Sequence, residues 1–289
     1  MNGILLINKE KDYTSRDIVN IVSKELKTKK IGHTGTLDPL ATGVLVLTIG
    51  SYTKLSELLT ATYKEYIAEV ILGINTDTLD ITGNILEDKD CIIEKELIEQ
   101  TLKKMIGFYE QEVPIYSAVK VNGKKLYEYA RNNEEVILPK KMVEIKNIEL
   151  LDYKIDGNKT NFKFKCLVSK GTYIRSLIRD IAFKLNTVGV MKNLTRTKQG
   201  NFNIEDCYTL EDIKNNNYKL LDVDNCLDIK QIDMNEELEY KIKNGQIINN
   251  IYNEDIIMFR SSNIISIYKK YDKDKNKLKP WKVIKVLDK

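Results

Sequence analysis

No stretch of this chain narrows its possible folds as sharply as Gly32-His33-Thr34-Gly35-Thr36-Leu37-Asp38-Pro39-Leu40-Ala41-Thr42-Gly43-Val44-Leu45. It holds one carboxylate, three glycines, one proline and the only histidine in the protein. An apolar run, Val44-Leu45-Val46-Leu47, follows it directly. Glycine and proline punctuate a loop, and the apolar run reads as a buried element fed by that loop. A lone acid displayed on a shaped loop against a core element is a common way to fix one reactive group in space.

Composition removes many alternatives. Apolar residues make up 42% of the 289, enough to bury one large core with a smaller one beside it. No run approaches ~18 uncharged apolar residues, so a membrane span is not expected. The N-terminus has too short an apolar stretch and the wrong flanks for a secretory signal, which points to the cytoplasm. Cys91, Cys166, Cys207 and Cys226 are scattered with no C-x-x-C pair, so neither a zinc cluster nor a redox motif is indicated. A Ser-His-Asp triad could use only His33, and no G-x-S-x-G elbow accompanies it. The H-x-E and P-C-x-x-C pattern of zinc deaminases is absent too. Gly32-x-x-Gly35 as a phosphate-cradling loop lacks the G-x-x-x-x-G-K-[ST] pattern and carries an acid where an anion would sit. Carboxylates, tyrosines, lysines and arginines remain as candidate groups, with no metal and no cofactor expected.

The net charge of +4 hides a strong pattern. Residues 163–198 hold nine Lys or Arg against Asp180 alone, residues 205–239 hold eleven acids against three lysines, and residues 269–289 hold nine lysines against three aspartates. A single basic run is ordinarily a solvated face. Two basic segments flanking an acidic one suit a nucleic-acid ligand better.

Local pattern gives the elements. Residues 3–8 read as a buried strand. Thr14-Ser15 caps a helix over 16–26 with Ile18, Val19, Ile21, Val22 and Leu26 on its apolar face. Residues 54–59 read as a second helix, 66–73 as a strand ending at glycine, and 94–106 as a helix ending at Gly107. Residues 117–143 are polar, basic and tyrosine-bearing, with Asn122-Gly123 as a turn signal. Strands follow over 143–151 and 161–169, then a helix over 173–185. The acidic stretch ending near Asp228 is the best linker candidate. Beyond it lie short β-rich runs at 256–259 and 263–268, with a turn at Asn244-Gly245.

Several blocks, in order, resemble one family. They are Gly3-Ile4-Leu5-Leu6-Ile7-Asn8-Lys9 with Thr14-Ser15, the Asp38 loop, Lys64-Glu65-Tyr66, Thr76-Asp77-Thr78, Tyr116-Ser117-Ala118, Gly123-Lys124-Lys125-Leu126-Tyr127, and Ser169-Lys170-Gly171-Thr172-Tyr173-Ile174-Arg175. Together they resemble the bacterial tRNA pseudouridine-55 synthases of the TruB type, over roughly residues 1 to 205. The resemblance implies an α+β fold: a catalytic domain with a central mixed or antiparallel sheet flanked by helices, over 1–225. It implies an RNA-gripping insertion at 117–143 and a small β-rich PUA-like RNA-binding domain at 229–289. It also implies a monomer that acts on the T-arm stem-loop of tRNA without a small-molecule cofactor or a membrane.

That reaction breaks a glycosidic C–N bond, rotates the uracil and joins carbon to carbon on the same sugar. A carboxylate can form a covalent intermediate with a sugar carbon. By resemblance Asp38 is the essential catalyst, which either attacks the ribose or removes a C2′ proton; Arg175 pairs with it, and Tyr66 is a catalytic-site residue that stacks on the target base or transfers the C2′ proton. Arg suits the pairing because its fork binds a carboxylate bidentately and stays protonated. A surface helix charge would be the ordinary reading of Arg175, and a half-buried strand aromatic that of Tyr66. His33 faces the RNA by resemblance, and otherwise reads as a loop-ordering hydrogen bonder. Lys9, Tyr173, Lys170, Lys124, Lys125 and Arg131 are expected substrate contacts, with Lys192, Arg196 and Lys198 as phosphate ligands. Two departures stand out. The family reads Asn-Lys-Pro-x-Gly-x-Thr-Ser near its start, whereas Glu10, Lys11, Asp12 and Tyr13 follow Lys9 here. A pocket position that is often leucine falls in Leu194-Thr195-Arg196-Thr197. The competing reading is a tRNA-binding or tRNA-folding protein that needs no chemistry.

Overall fold

The structure is a computed structural model that describes residues 1–60, 63–262 and 264–285. The first third of the chain forms β1 (Gly3–Lys9), α1 (Ser15–Glu25), β2 (Ile31–His33), β3 (Thr42–Ile49), a 3-10 turn (Gly50–Leu55) running into α2 (Ser56–Leu59), β4 (Tyr63–Leu72), β5 (Ile74–Thr76), β6 (Ile85–Asp88) and α3 (Lys95–Lys104). The middle holds β7 (Gly107–Glu112), β8 (Lys120–Val121), β9 (Lys124–Lys125), α4 (Leu126–Arg131), β10 (Lys140–Asp156), β11 (Lys159–Ser169), α5 (Ile174–Lys184), β12 (Gly189–Gln199) and β13 (Phe202–Asn203). The last part holds α6 (Leu210–Lys214), β14 (Lys230–Asp233), α7 (Glu236–Lys243), β15 (Ile248–Asn249), β16 (Ile256–Arg260), β17 (Ile264–Tyr271) and β18 (Asp274–Lys285). Asn263, expected to open a strand, lies outside the described residues.

Among the described residues nine strands join one sheet in the order β1-β3-β12-β4-β11-β10-β7, with β2 on β3 and β13 on β12. Its pairings are antiparallel except β12 with β3. The sheet is therefore mixed, as expected. Alternation explains which face is covered. Along β4, Tyr66, Ala68, Val70 and Leu72 are buried while the residues between them are half-exposed. Ile174, Leu177, Ile178 and Ile181 of α5 pack against that face, with Ile98 and Leu102 of α3. Thr14 caps α1 through a reciprocal pair with Asp17, which satisfies the orphan amides of the first turn.

Two expected boundaries are corrected. Residues 140–143 belong to β10 and pair with β7, so the insertion ends before them. Lys140, Lys141 and Met142 are all exposed, which gives this end of the strand the polar look of the insertion. The rest of 117–139 holds the β8–β9 hairpin and α4. Asn122 and Gly123 both adopt positive φ, as a tight two-residue hairpin demands. The acidic stretch is not a free linker either. Tyr208 and Leu221 bridge to β1, and Leu210, Ile213, Val223 and Cys226 are buried. Its spaced apolar residues dock, and two of its acids help: Asp222 accepts from the Tyr52 hydroxyl and Asp224 pairs with Arg260.

The five-stranded second sheet runs β14-β16-β17-β18-β15. One of its faces closes on the first sheet. Met258, Ile265, Ile267 and Ile284 share a buried cluster with Ile4, Leu6, Val44, Val46 and Tyr52. β3 is thus buried on both faces, because Leu45 and Leu47 pack on α1. Met258→Ala should cost about 2–5 kcal/mol and lower one shared melting transition in calorimetry. Two transitions, with the larger unmoved, would show that the sheets do not share a core.

Candidate active site

The loop between β2 and β3 hangs from three neighbours. Lys9, at the end of β1, is fully buried and donates from Nζ to the carbonyls of Glu10 at 2.8 Å, Tyr13 at 2.6 Å and Pro39 at 3.2 Å. Ser15, in the first turn of α1, exchanges hydrogen bonds with the backbone of Leu37. Arg196 of β12 is fully buried too, donating from Nε to Val44 O at 2.7 Å and from its terminal nitrogens to Gly35 O and Thr36 O. Gly43 lets β3 approach β12 this closely: its φ is +100°, and a Cβ there would lie 2.2 Å from the carbonyl oxygen of Arg196.

The turn after β1 survives the loss of its expected glycine. Asp12 takes a φ of +70° at that position and donates its amide to Pro39 O. Aspartate tolerates this left-handed conformation better than most residues.

On this caged loop Asp38 faces Arg175, which lies in the first turn of α5. Asp38 Oδ2 lies 2.9 Å from Arg175 Nη2, with side-chain exposures of 37% and 6%. The carboxylate is therefore reachable while its partner is sealed. Nη2 also donates to Tyr116 O and Nη1 to Thr78 O, both at 3.0 Å. A second carboxylate, Asp80 Oδ2, sits 3.9 Å from Nη1. Its other oxygen accepts from Thr78 Oγ1, Thr82 N and Thr82 Oγ1, which fixes the loop that follows β5. A buried guanidinium needs such compensation.

Around Asp38 opens a cleft of about 280 Å³ lined by Tyr66, Tyr116, Tyr173, Leu194 and Arg175 among others. Tyr66 reaches it from β4, where it pairs in register with Cys166 and Arg196. Burial pushes the Tyr173 phenol above its ordinary value; a nearby Ser117 hydroxyl opposes this and the Asp38 charge adds to it. The proton on Tyr173 is held firmly at neutral pH.

The other expected contacts divide. Lys9 and Arg196 are corrections: their heads are buried and filled by backbone carbonyls, so they hold the loop and face no ligand. Lys170 is exposed at the cleft rim beside Gly171. Lys124, Lys125 and Arg131 lie on the insertion outside the cleft lining. There Lys124 stacks on Tyr129 and pairs with Glu134, while Lys125 and Arg131 both lie over Tyr127. His33 sits half-buried on β2 with Nδ1 unpartnered, outside the cleft lining. Burial and then the charges of Arg16, Arg196 and Lys64 lower its pKa, so its ring is neutral near pH 7.

Sequence reasoning did not single out Asp80 or Lys64. Asp80 carried a faint signal, a carboxylate amid the hydroxyls of Thr76, Thr78 and Thr82. Lys64 lines the cleft, its ammonium pushed down to about 8 by burial and then by Arg196. Among the described residues no group of three or more His, Cys, Asp or Glu is placed to hold a metal, and no helix is long and apolar enough to cross a membrane.

Comparisons with known proteins find the chain's relatives. The profile described as "TruB family pseudouridylate synthase (N terminal domain)" matches residues 23–174, and "tRNA pseudouridylate synthase B C-terminal domain" matches 175–228. The tRNA pseudouridine synthase B of Bacillus cytotoxicus is 40% identical over 299 aligned positions, covering 98% of this chain and 97% of that one. That of Bacillus anthracis is 39% identical with the same coverage. Among solved structures, one titled "Structure of H/ACA RNP bound to a substrate RNA containing 2'-deoxyuridine" superposes with a TM-score of 0.69 at 20% identity, covering 98% of this chain and 84% of that one. A Cbf5-Nop10-Gar1 complex gives 0.69 at 21% identity, covering 99% and 84%. At that identity the likeness is one of fold.

The cage makes a prediction about Lys9. Lys9→Met should strand three carbonyl acceptors and cost about 1–3 kcal/mol each where they stay dry. The melting temperature and the turnover rate should fall, with RNA affinity kept. Loss of affinity at an unchanged melting temperature would place Lys9 on the ligand instead.

Proposed function

The chain belongs to the TruB family of pseudouridylate synthases, and from that membership we infer that it isomerises uridine to pseudouridine in tRNA. The observation that carries the site is the Asp38–Arg175 pair at the floor of a tyrosine-lined cleft. Its volume, about 280 Å³, is at the small end for ligand sites, as suits one extruded nucleotide.

The chemistry follows from the placement. A uridine stacked in an RNA fold must be extruded first, at a cost of a few kcal/mol. Tyr66 offers the flipped base an aromatic face, worth about 1–3 kcal/mol. Asp38 is the carboxylate that acts on the ribose once the base is in place. Arg175 aims that carboxylate and balances its charge when the RNA covers it and removes water. The detached uracil stays between Tyr66 and the Leu194 wall, rotates, and rejoins the sugar through carbon. Tyr173 borders the ribose.

The T-arm stem-loop is the substrate element we assign, with the uridine at position 55 as target. Lys170 at the rim and the Lys124, Lys125 and Arg131 cluster on the insertion supply phosphate contacts. The β-rich C-terminal sheet serves as a PUA-like RNA-binding module. We assign it a monomeric working state.

An unmodified tRNA transcript, incubated with purified protein and mapped for pseudouridine, tests this reading. Asp38→Asn should cut the single-turnover rate by at least about 10³-fold while tRNA binding persists. Full activity in Asp38→Asn would remove Asp38 from the chemistry. Tight binding without product in the wild type would leave an RNA-binding protein only.

A further inference from the structure

Among the described residues, Lys64 of the cleft lining has no hydrogen bond or ion pair. Lys64 lies two residues before Tyr66 on β4, so both side chains project from the same face of the strand. It lines the same cavity as Asp38 and Tyr66. Its ammonium rests against the catalytic loop: a Cβ built on Gly35 would come within 2.6 Å of Lys64 Nζ. The same Cβ would lie 3.6 Å from Arg196 Nη1, so two positive groups stand near each other here.

The nearby acids are taken. Asp38 pairs with Arg175. Glu65 points to the other face of β4, where it meets Lys165 and Thr197. Arg196 has its donors filled by the carbonyls of Val44, Gly35 and Thr36. Among the described residues Lys64 alone in this cleft brings a positive charge with no hydrogen bond or ion pair. A half-buried ammonium beside a guanidinium is costly unless an anion arrives. Burial and Arg196 do push its pKa down, to about 8, which leaves it charged at neutral pH.

The substrate supplies the anion. A neutral uracil carries no full charge before its bond breaks. The formal charges nearest to an extruded base are the phosphates on either side of its own ribose. We propose that Lys64 binds a backbone phosphate flanking the extruded uridine, and so holds its ribose over Asp38. Lys64 then acts as a substrate-positioning residue, distinct from the contacts at the rim and on the insertion. This rests on the RNA-substrate reading above.

The test is equilibrium binding of a T-arm stem-loop RNA across a salt series. It compares wild type with Lys64→Gln, each against normal RNA and against RNAs with a neutral methylphosphonate at one of the two linkages flanking the target uridine. Lys64→Gln should weaken binding about ten- to a hundredfold at low salt. The slope of log affinity against log salt should become shallower by about one. One methylphosphonate should cost the wild type as much, and cost Lys64→Gln nothing more. An unchanged slope in Lys64→Gln, or an equal methylphosphonate penalty in both proteins, overturns the proposal. Should Lys64→Gln melt early, the wild type still decides: full affinity for both methylphosphonate RNAs overturns it. A wild type that binds no stem-loop at all contradicts the substrate reading itself.

Discussion

One buried guanidinium ties this active site together. Arg175 is held by the Thr78 and Tyr116 carbonyls and faces both Asp38 and Asp80. Those partners come from the β2–β3 loop, the turn after β5 and the segment just before the insertion, while Arg175 itself lies in the first turn of α5. A charge this deep is tolerable only when its donors are filled and its charge is balanced. The fold must therefore bring four distant segments together before the pair can form. Asp80 supplies the buried part of that balance. It leaves Asp38, the more exposed partner, free to turn one oxygen toward a ligand.

The loop that carries Asp38 is rigid for a related reason. Its carbonyls are claimed by Lys9, Ser15 and Arg196, three residues on three different elements. Two of these are basic side chains spent entirely on backbone. Such an arrangement fixes the Asp38 carboxylate on the scaffold, the precision that a reacting group would need. The second sheet reinforces it from behind, since Val44 and Val46 of β3 are buried against Met258 and Ile267.

The long elements were legible because their periods are clean. The alternation along β4 and the capped start of α1 are examples. The Asp38–Arg175 pair was legible only through resemblance, since nothing in the spacing of residues 137 positions apart places them together. Lys9 and Arg196 misled because composition records a charge and not where its head lies. A clue to Arg196 was present: Leu194 and Arg196 alternate with Thr195 and Thr197, which puts arginine on the inward face of β12. Lys64, seen only as part of the Lys64-Glu65-Tyr66 block, drew no role for the converse reason. Its lack of a partner is a property of the folded cleft and has no trace in the chain. The acidic stretch misled as a linker because its charge masks the spacing of Leu210, Ile213 and Val223.

The central claim is that Arg175 holds Asp38 in place when RNA occupies the cleft. A crystal structure with a stem-loop carrying the product, pseudouridine, at the target position tests it most directly. The modified base should lie out of the stack and against Tyr66, with Asp38 still hydrogen-bonded to Arg175 beneath the ribose. An Arg175 turned wholly to Asp80, with Asp38 beyond ion-pair reach or directed away from the sugar, would contradict it.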